Sequence, residues 1–230
     1  MSQRDKKISK PNFAKSKIVE YFMSINRAYD VLSTQINHAV SQGIKFDFNY
    51  QVLVGLANNT SPNVNSQSLT LSTLNLDLSS FNIFLDSSLA GYDNMKKNLE
   101  NLSAYLVFYR RLDDIIYDPD QIVIIRRNIK SALDNLNDLN SSISLVYTDS
   151  HTIEGLLARI ASQIAQTGKP IPLGPNSTFQ SLVTDYTTFK KNLKLEDHLK
   201  TLNSALLLIH KHLLEADLLF DVQQVNEDNR

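Results

Sequence analysis

The chain has no cysteine and no tryptophan, and it has only six glycines and six prolines in 230 residues. Without cysteine it can form no disulfide, no thiolate metal site and no cysteine nucleophile, which is typical of proteins from a reducing compartment. No apolar run approaches the roughly 20 residues that span a bilayer, and the charged N-terminal segment lacks the apolar core of a signal peptide. We therefore expect a location in the cytoplasm, or in a particle assembled there, with no transmembrane segment.

Excess charge of one sign is also missing, because the formal net charge is −1. Bulk electrostatics therefore gives no reason to expect nucleic acid as a partner. Basic residues nevertheless gather before residue 18, and we take Lys6, Lys7 and Lys10 as candidate partner-binding residues. We expect residues 1–12 to form a flexible basic arm and residues 223–230 a flexible tail. The arm is interpreted as solvated, with contact to an acidic partner surface, a membrane or nucleic acid as the alternatives.

Four stretches of the chain repeat apolar residues three and four positions apart, which is the spacing of a seam along one face of a helix. They run over 18–39, 95–116, 122–146 and 195–220. Gly43 is predicted to end the first helix, which begins near residue 12. Asp118 can cap a new helix and Pro119 suits its first position, so the chain should reverse there in a helical hairpin over 93–147.

Between the first two seams the period changes to two. Apolar residues alternate with others from Ile44 to Leu56, which predicts a strand, and a polar loop and a second alternating run to Leu78 follow. The pattern predicts a β-hairpin over about 44–78, although residues 69–90 also satisfy a helical spacing. Its apolar face could cover the helices, dock on a neighbouring subunit or insert into a membrane. We take the aromatic residues of its first strand as candidate partner-binding residues: Phe46, Phe48 and Tyr50.

The predicted fold class is mainly α, an elongated bundle of long antiparallel helices with an inserted β-hairpin. We expect one domain over 13–222. Residues 168–175 contain three prolines and two glycines and are predicted to form an extended connector. A shorter helix precedes this connector, after a turn over 148–152.

Four arginines flank the predicted corner of the helical hairpin: Arg110, Arg111, Arg126 and Arg127. If the chain turns at Asp118, the first pair lies level with the second. Guanidinium groups at one level repel each other unless acidic groups neutralise them. Local aspartates are one source of that charge, and a carboxylate or phosphate of a bound partner is the other.

No residue pattern points to a reaction centre. The sequence contains no phosphate-binding loop, no nucleophile elbow and no zinc-hydrolase motif. On one helix His210 and His212 would point in different directions and could not share a metal ion. We therefore predict that the chain is not an enzyme and that it uses no cofactor and no metal ion.

Long helices with a β-hairpin insertion, a proline-rich connector and charged ends resemble, in architecture alone, the ring-forming adaptor proteins of phage heads. The resemblance implies a virion component. We expect a non-enzymatic structural or assembly subunit that acts through protein–protein contacts, as a homo-oligomer or within a larger assembly. The alternative is a helical pore-forming or membrane-remodelling protein that inserts an apolar β-tongue.

Overall fold

The computed structural model describes residues 10–59, 63–109, 119–175 and 177–219, with the side chains of 10–14, 109 and 119 outside that description. Five helices account for most of these residues, and no strand occurs among them. They are α1 Lys10–Ala57, α2 Val64–Tyr109, α3 Pro119–Thr167, α4 Thr178–Asn192 and α5 Leu195–Glu215. The prediction of a mainly α, bundle-like protein is confirmed.

An apolar seam of heptad spacing runs along each of the three long helices. In α3 the buried residues follow one another at alternating intervals of three and four, the spacing of helices that pack side by side. They are Ile122, Ile125, Ile129, Ala132, Leu136, Leu139, Ile143, Val146, Ser150, Ile153, Leu157, Ile160 and Ile164. The predicted turn over 148–152 is wrong, because this seam continues through it without a change of phase. Thr148 and Thr152 bond to carbonyls one turn earlier, so their hydroxyls are satisfied inside the helix.

The described residues belong to two compact units. Unit 1 is drawn from Met1–Val31, Gly91–Asn137 and His198–Arg230, and unit 2 from Leu32–Ala90 and Asp138–Asp197. Each unit combines segments of the three long helices with one shorter helix, α5 in unit 1 and α4 in unit 2.

In unit 1, α5 packs antiparallel to α1. Lys15 Nζ lies 2.5 Å from Asp217 Oδ2, and about four turns further along α1 Tyr29 donates a hydrogen bond of 3.5 Å to the carbonyl of Leu199. Position numbers therefore fall along α5 as they rise along α1. Phe22 and His210 stack between these two contacts.

In unit 2, α1 and α2 are antiparallel neighbours. Asn49 Nδ2 donates to Asp77 Oδ2 at 2.6 Å, and the rings of His38 and Phe84 lie 5.0 Å apart, centroid to centroid. These two contacts show which side of each helix faces the other. Their polar and aromatic groups flank the buried seams of α1 and α2.

The connector between α3 and α4 is held to unit 2 by Gln67. This glutamine occupies a buried seam position of α2, and its amide makes two hydrogen bonds to the backbone of Ile171. Nε2 donates to the carbonyl at 3.1 Å, and the backbone N–H donates to Oε1 at 3.0 Å. A buried amide needs such partners, because an unsatisfied one costs about 1–3 kcal/mol. Ser177 then caps α4 by accepting a hydrogen bond from the Gln180 N–H.

The predicted β-hairpin over 44–78 is wrong. The described residues of this segment lie in α1 and α2, on either side of a connection that includes residues 60–62, which the structure does not describe. Within the alternating run, Phe46, Tyr50 and Leu53 continue the heptad seam and are buried. The other alternating apolar residues are exposed on the opposite side of the helix. The buried seam and an exposed apolar stripe on the same helix therefore give the sequence its alternation of apolar and other residues.

Gly43 does not end α1, so that prediction is also wrong. It lies inside the helix at a buried seam position. A Cβ atom placed on it would lie 2.9 Å from Leu193 Cδ2, so the side chain of the residue that ends α4 packs against the bare backbone of α1. Gly43 is used for close approach, and the packing outweighs the roughly 1 kcal/mol that glycine costs in a helix.

Two other predicted boundaries are moved by the same seams. α2 continues through Gly91, and α3 extends beyond 147 to Thr167. α3 begins at Pro119, and the predicted reversal of the chain at Asp118 stays a prediction because residues 110–118 lie outside the described residues.

Candidate interaction surface

α1 carries an exposed apolar stripe on the side opposite its seam. Ile44, Phe48 and Val52 follow one another at intervals of four, and their exposed fractions are 66%, 70% and 40%. Residues four apart lie above one another on a helix, so the three side chains form one ridge. Single exposed apolar residues are common on proteins, but a ridge of three within three turns is a surface feature.

α2 carries a second exposed stripe in the same unit. Leu69, Leu76 and Ile83 are exposed by 71%, 69% and 59%, and they are seven residues apart. This interval matches the heptad period of the buried seam, so the stripe follows the seam on the far side of the helix.

Most of the two stripes lies in a segment that is almost free of charge. No charged residue occurs between Asp47 and Asp77, and the next after these is Asp86. Lys45, which follows Ile44, is exposed and adds one charge beside the α1 stripe. Most of the other outward positions are serine, threonine, asparagine or glutamine. Cores of protein interfaces are depleted in charged residues in the same way, whereas ordinary helix surfaces carry lysine and glutamate.

The hydroxyl groups beside the α2 stripe are satisfied within the helix. Thr73 Oγ1 donates to the carbonyl of Leu69 at 3.1 Å, and Ser87 Oγ donates to that of Ile83 at 2.7 Å. A partner could cover these hydroxyls without leaving their donors unpaired, and it would therefore avoid the largest penalty for burying polar groups.

The two stripes flank the junction between α1 and α2. Thr73 and Ser80 lie one turn before and one turn after Asp77, whose carboxylate accepts the hydrogen bond from Asn49. Val52 lies one turn beyond Asn49 on α1. The two-helix face therefore spans α1 and α2 of unit 2, with small side chains between the apolar ridges and with Lys45 and Asp77 as charged residues.

Of the three aromatic residues predicted to bind a partner, only Phe48 is exposed. Phe46 and Tyr50 are buried, at 0% and 4% exposure, because they belong to the seam of α1. The sequence pattern placed all three on one face of a strand, and a helix separates Phe48 from the other two. Partner binding through Phe48 stays a prediction.

The predicted basic groups are described only in part. Arg126 and Arg127 are exposed on α3 in unit 1, whereas Arg110 and Arg111 lie outside the described residues. Lys6 and Lys7 also lie outside them, and Lys10 begins α1 with its side chain undescribed. The level of four arginines and the binding role of the arm stay predictions.

Sequence reasoning missed a polar cluster between α1 and α4 in unit 2. Tyr186 donates a short hydrogen bond to Asp47, and Lys190 Nζ lies 3.1 Å from Asp47 Oδ2. Tyr186 also stacks on Tyr50, with ring centroids 3.8 Å apart. These side chains border a shallow groove of about 570 Å³ between α1 and α4. Tyr186 and Lys190 lie 139 and 143 residues from Asp47 in the sequence, so no local motif reveals the cluster.

The protonation behaviour of this cluster follows from its geometry. Burial by itself raises the pKa of Asp47, but hydrogen bonds from Tyr186 and Lys190 and the lysine charge outweigh it, so the pKa lies below its ordinary value. Burial raises the pKa of Tyr50 to about 12, and burial together with the bond to Asp47 raises that of Tyr186. These shifts favour the Asp47 carboxylate and the neutral phenols of Tyr50 and Tyr186 at neutral pH, and the cluster ties α1 to α4.

Replacing Tyr186 with phenylalanine should destabilise unit 2 by about 1 kcal/mol at neutral pH, a small value because a third of the Asp47 side chain is exposed. The lowered pKa of Asp47 contributes stability above its unfolded-state value of about 3.9. That contribution is lost as the pH falls through the lower folded-state value. Urea unfolding of wild type and Tyr186→Phe from pH 7 to pH 2 should show the difference shrinking toward acid. A constant difference would contradict the assignment.

A cluster of metal ligands and a membrane-spanning helix are both absent from the described part of the chain. Across residues 10–59, 63–109, 119–175 and 177–219, no three acidic or histidine side chains are grouped so that they could hold a metal ion. Among the helices within these ranges, none has the length and apolarity to cross a membrane.

The sequence contains the exposed apolar residues of the two-helix face, but their alternation with other residues predicts strands. Once the seam of α2 is known, Leu69, Leu76 and Ile83 stand out as apolar residues that are out of phase with it.

Comparison of the chain with protein-family models, curated proteins and solved structures gives no match.

Proposed function

We propose that this protein is a non-enzymatic assembly subunit that associates with a second copy of itself through the outward face of α1 and α2 in unit 2. The observation that supports the proposal is the pair of apolar stripes on a two-helix face that carries few charges. Such a face exposes apolar area to water, and association removes that area.

The size of the face suits a dimer of small to ordinary interface area. From Leu69 to Ser87 the α2 stripe is roughly 27 Å long, and two adjacent helices are roughly 20 Å wide, which gives on the order of 500 Å² in projection. The accessible area of a corrugated surface is larger than its projection. Specific interfaces bury about 600–1,000 Å² on each partner, so the face is large enough if most of it is used.

A second copy is the partner that the charge distribution favours. An acidic or basic partner would require a cluster of charges of the opposite sign, whereas the face has none between Asp47 and Asp77 and only the exposed Lys45 beside Ile44. A surface with so little charge repels its own copy only weakly, and an apolar ridge complements another apolar ridge.

The pore-forming alternative depended on an apolar β-tongue, whereas residues 44–57 lie in α1 and residues 64–78 lie in α2. The resemblance to phage-head adaptors also included the β-hairpin, so the proposal does not extend to a virion. Membrane insertion is not proposed.

Light scattering after size-exclusion chromatography tests the proposal. The wild-type chain should be a dimer whose population rises with concentration, and Leu76→Asp should be monomeric, because a carboxylate in the centre of an apolar contact must be desolvated. Circular dichroism should show unchanged helix content, since residue 76 is exposed in the subunit.

Leu145→Asp is the matched control. Leu145 is an exposed leucine of α3 in the same unit, away from the two stripes, and is 49% exposed. This variant should remain dimeric. A monomeric wild type, or a dimeric Leu76→Asp variant, would refute the proposal.

A further inference from the structure

The outward side of α2 carries a second helical seam. Along α2, large apolar and small hydroxyl side chains alternate at intervals of four and three, and the hydroxyl side chains lie on the side nearer α1. The members are Leu69, Thr73, Leu76, Ser80, Ile83 and Ser87. A spacing of this kind packs against another helix at a small crossing angle.

The order of large and small residues favours an antiparallel partner. In antiparallel pairs of helices each layer joins residues whose numbers have a constant sum. With a sum of 156 every layer joins one large and one small residue: Leu69 with Ser87, Thr73 with Ile83, and Leu76 with Ser80. In a parallel pair in register, each residue would meet its own copy, so wide leucine layers would alternate with narrow serine layers. The antiparallel arrangement keeps the distance between the helices uniform, as close packing requires.

The carboxylate of Asp86 favours the same orientation. In the antiparallel register Asp86 lies level with Thr70 of the partner subunit, about 24 Å along the helix axis from the partner subunit's Asp86. In the parallel register Asp86 would lie level with its own copy, and like charges at that distance repel. Asp77 lies close to the two-fold axis and therefore near its own copy in both registers.

The exposed ridge of α1 extends the contact beside the seam. Thr73 and Ser80 lie on the same side of α2 as Asp77, which bonds to α1. Phe48 and Val52 of α1 are also exposed. A two-fold axis perpendicular to the helices places the seam of α2 against its own copy, and it therefore places the ridge of α1 against its own copy as well.

We infer that two copies of the chain pair about a two-fold axis near residue 78, with the 69–87 segments of α2 antiparallel and the 44–52 ridges of α1 facing each other beside them. This inference rests on the proposed function and specifies its geometry. It makes α2 the centre of the contact and the 44–52 ridge of α1 its flank.

Disulfide cross-linking tests the orientation, because the natural chain has no cysteine. Leu69→Cys and Ser87→Cys are prepared separately, one with a size tag, then mixed under reducing conditions to exchange subunits and oxidised. In the antiparallel register, residues 69 and 87 of opposite copies are adjacent, whereas two copies of residue 69 are about 27 Å apart along the helix axes. A disulfide requires Cα atoms within about 7 Å. We expect cross-links in the mixture and little cross-linking in either variant alone. Thr73→Cys and Ile83→Cys should behave in the same way.

Light scattering on the reduced variants separates the two ways to fail. If the variants are dimeric and each cross-links efficiently to its own copy, the helices are parallel and this inference is overturned while the proposed function stands. If they are dimeric and no combination cross-links, the 69–87 segments do not pair and the inference is likewise overturned. If the wild type and the variants are monomeric, both proposals are overturned.

Discussion

Replacing Phe46 with alanine should lower the free energy of unfolding by about 3–5 kcal/mol, one of the two largest effects that we expect from a single substitution. Phe46 is fully buried in unit 2 and contacts the rings of Tyr186 and Phe189, with centroids 5.8 and 6.2 Å away. The truncation would remove apolar burial and leave a cavity that the surrounding helices can close only in part. Urea unfolding followed by circular dichroism measures the loss.

Phe48→Ala is the matched control, two residues away in the same helix. Phe48 is 70% exposed, so its truncation should change the stability of the subunit by less than about 0.5 kcal/mol. The comparison also separates the helix from the strand that the alternating sequence predicts. On a strand both rings would lie on one face, and both substitutions would have similar effects. The unfolding of both alanine variants should be measured in the Leu76→Asp background, which is expected to be monomeric, so that association does not contribute.

Gly43→Leu should also destabilise unit 2 strongly, by about 2–3 kcal/mol or more. The space that a Cβ atom would occupy is already approached by Leu193 to within 2.9 Å and by Phe81 to within 3.8 Å. A larger side chain must displace Leu193, which ends α4, and would therefore separate α4 from α1. Gain in helix propensity offsets only about 1 kcal/mol of this.

Gly155→Leu distinguishes packing from propensity. Gly155 lies inside α3 in the same unit, and a Cβ atom there has no neighbour within 4 Å. Its replacement should stabilise the protein by up to about 1 kcal/mol. Adding Leu193→Ala to Gly43→Leu should recover part of the lost stability, because it removes the side chain that collides. Equal effects at the two glycines, or no recovery, would contradict a close approach at Gly43.

These two predictions concern the stability of one unit, whereas the proposed dimer concerns its surface. The same helix serves both, because α1 presents Phe46 to the core and Phe48 to the outside. Core truncation should reduce stability and leave the contact face in place. A charged residue on the outer stripe of α2 should weaken association and leave the stability of the subunit nearly unchanged.

The long seams could be predicted from the sequence because packing in this protein depends on a repeated local pattern. Residues 18–39 and 122–146 place apolar side chains on one face of a helix, and the buried residues of α1 and α3 agree with that pattern. Pro119 marked the start of α3 for a reason that is also local, since proline fits the first turn of a helix.

The β-hairpin was predicted because a sequence does not state which apolar residues are buried. Between 44 and 57 the seam residues alternate with exposed ones, and both a strand and a helix with two apolar stripes satisfy that pattern. Glycine was ambiguous for a related reason. A glycine at position 43 is typical of a helix end. Only the contact between Gly43 and Leu193 shows that this glycine permits a close approach of α4 to α1.

The sequence by itself determined the helical character, the heptad period of the long helices, the absence of disulfide chemistry and the lack of charge between Asp47 and Asp77. These properties depend on residues that are neighbours along the chain. Only the tertiary structure decided that Phe46 is buried and Phe48 exposed, and that Asp47 meets Tyr186 and Lys190. These properties depend on which side of each helix the others cover. That choice follows from the packing of segments more than a hundred residues apart, which no local pattern records.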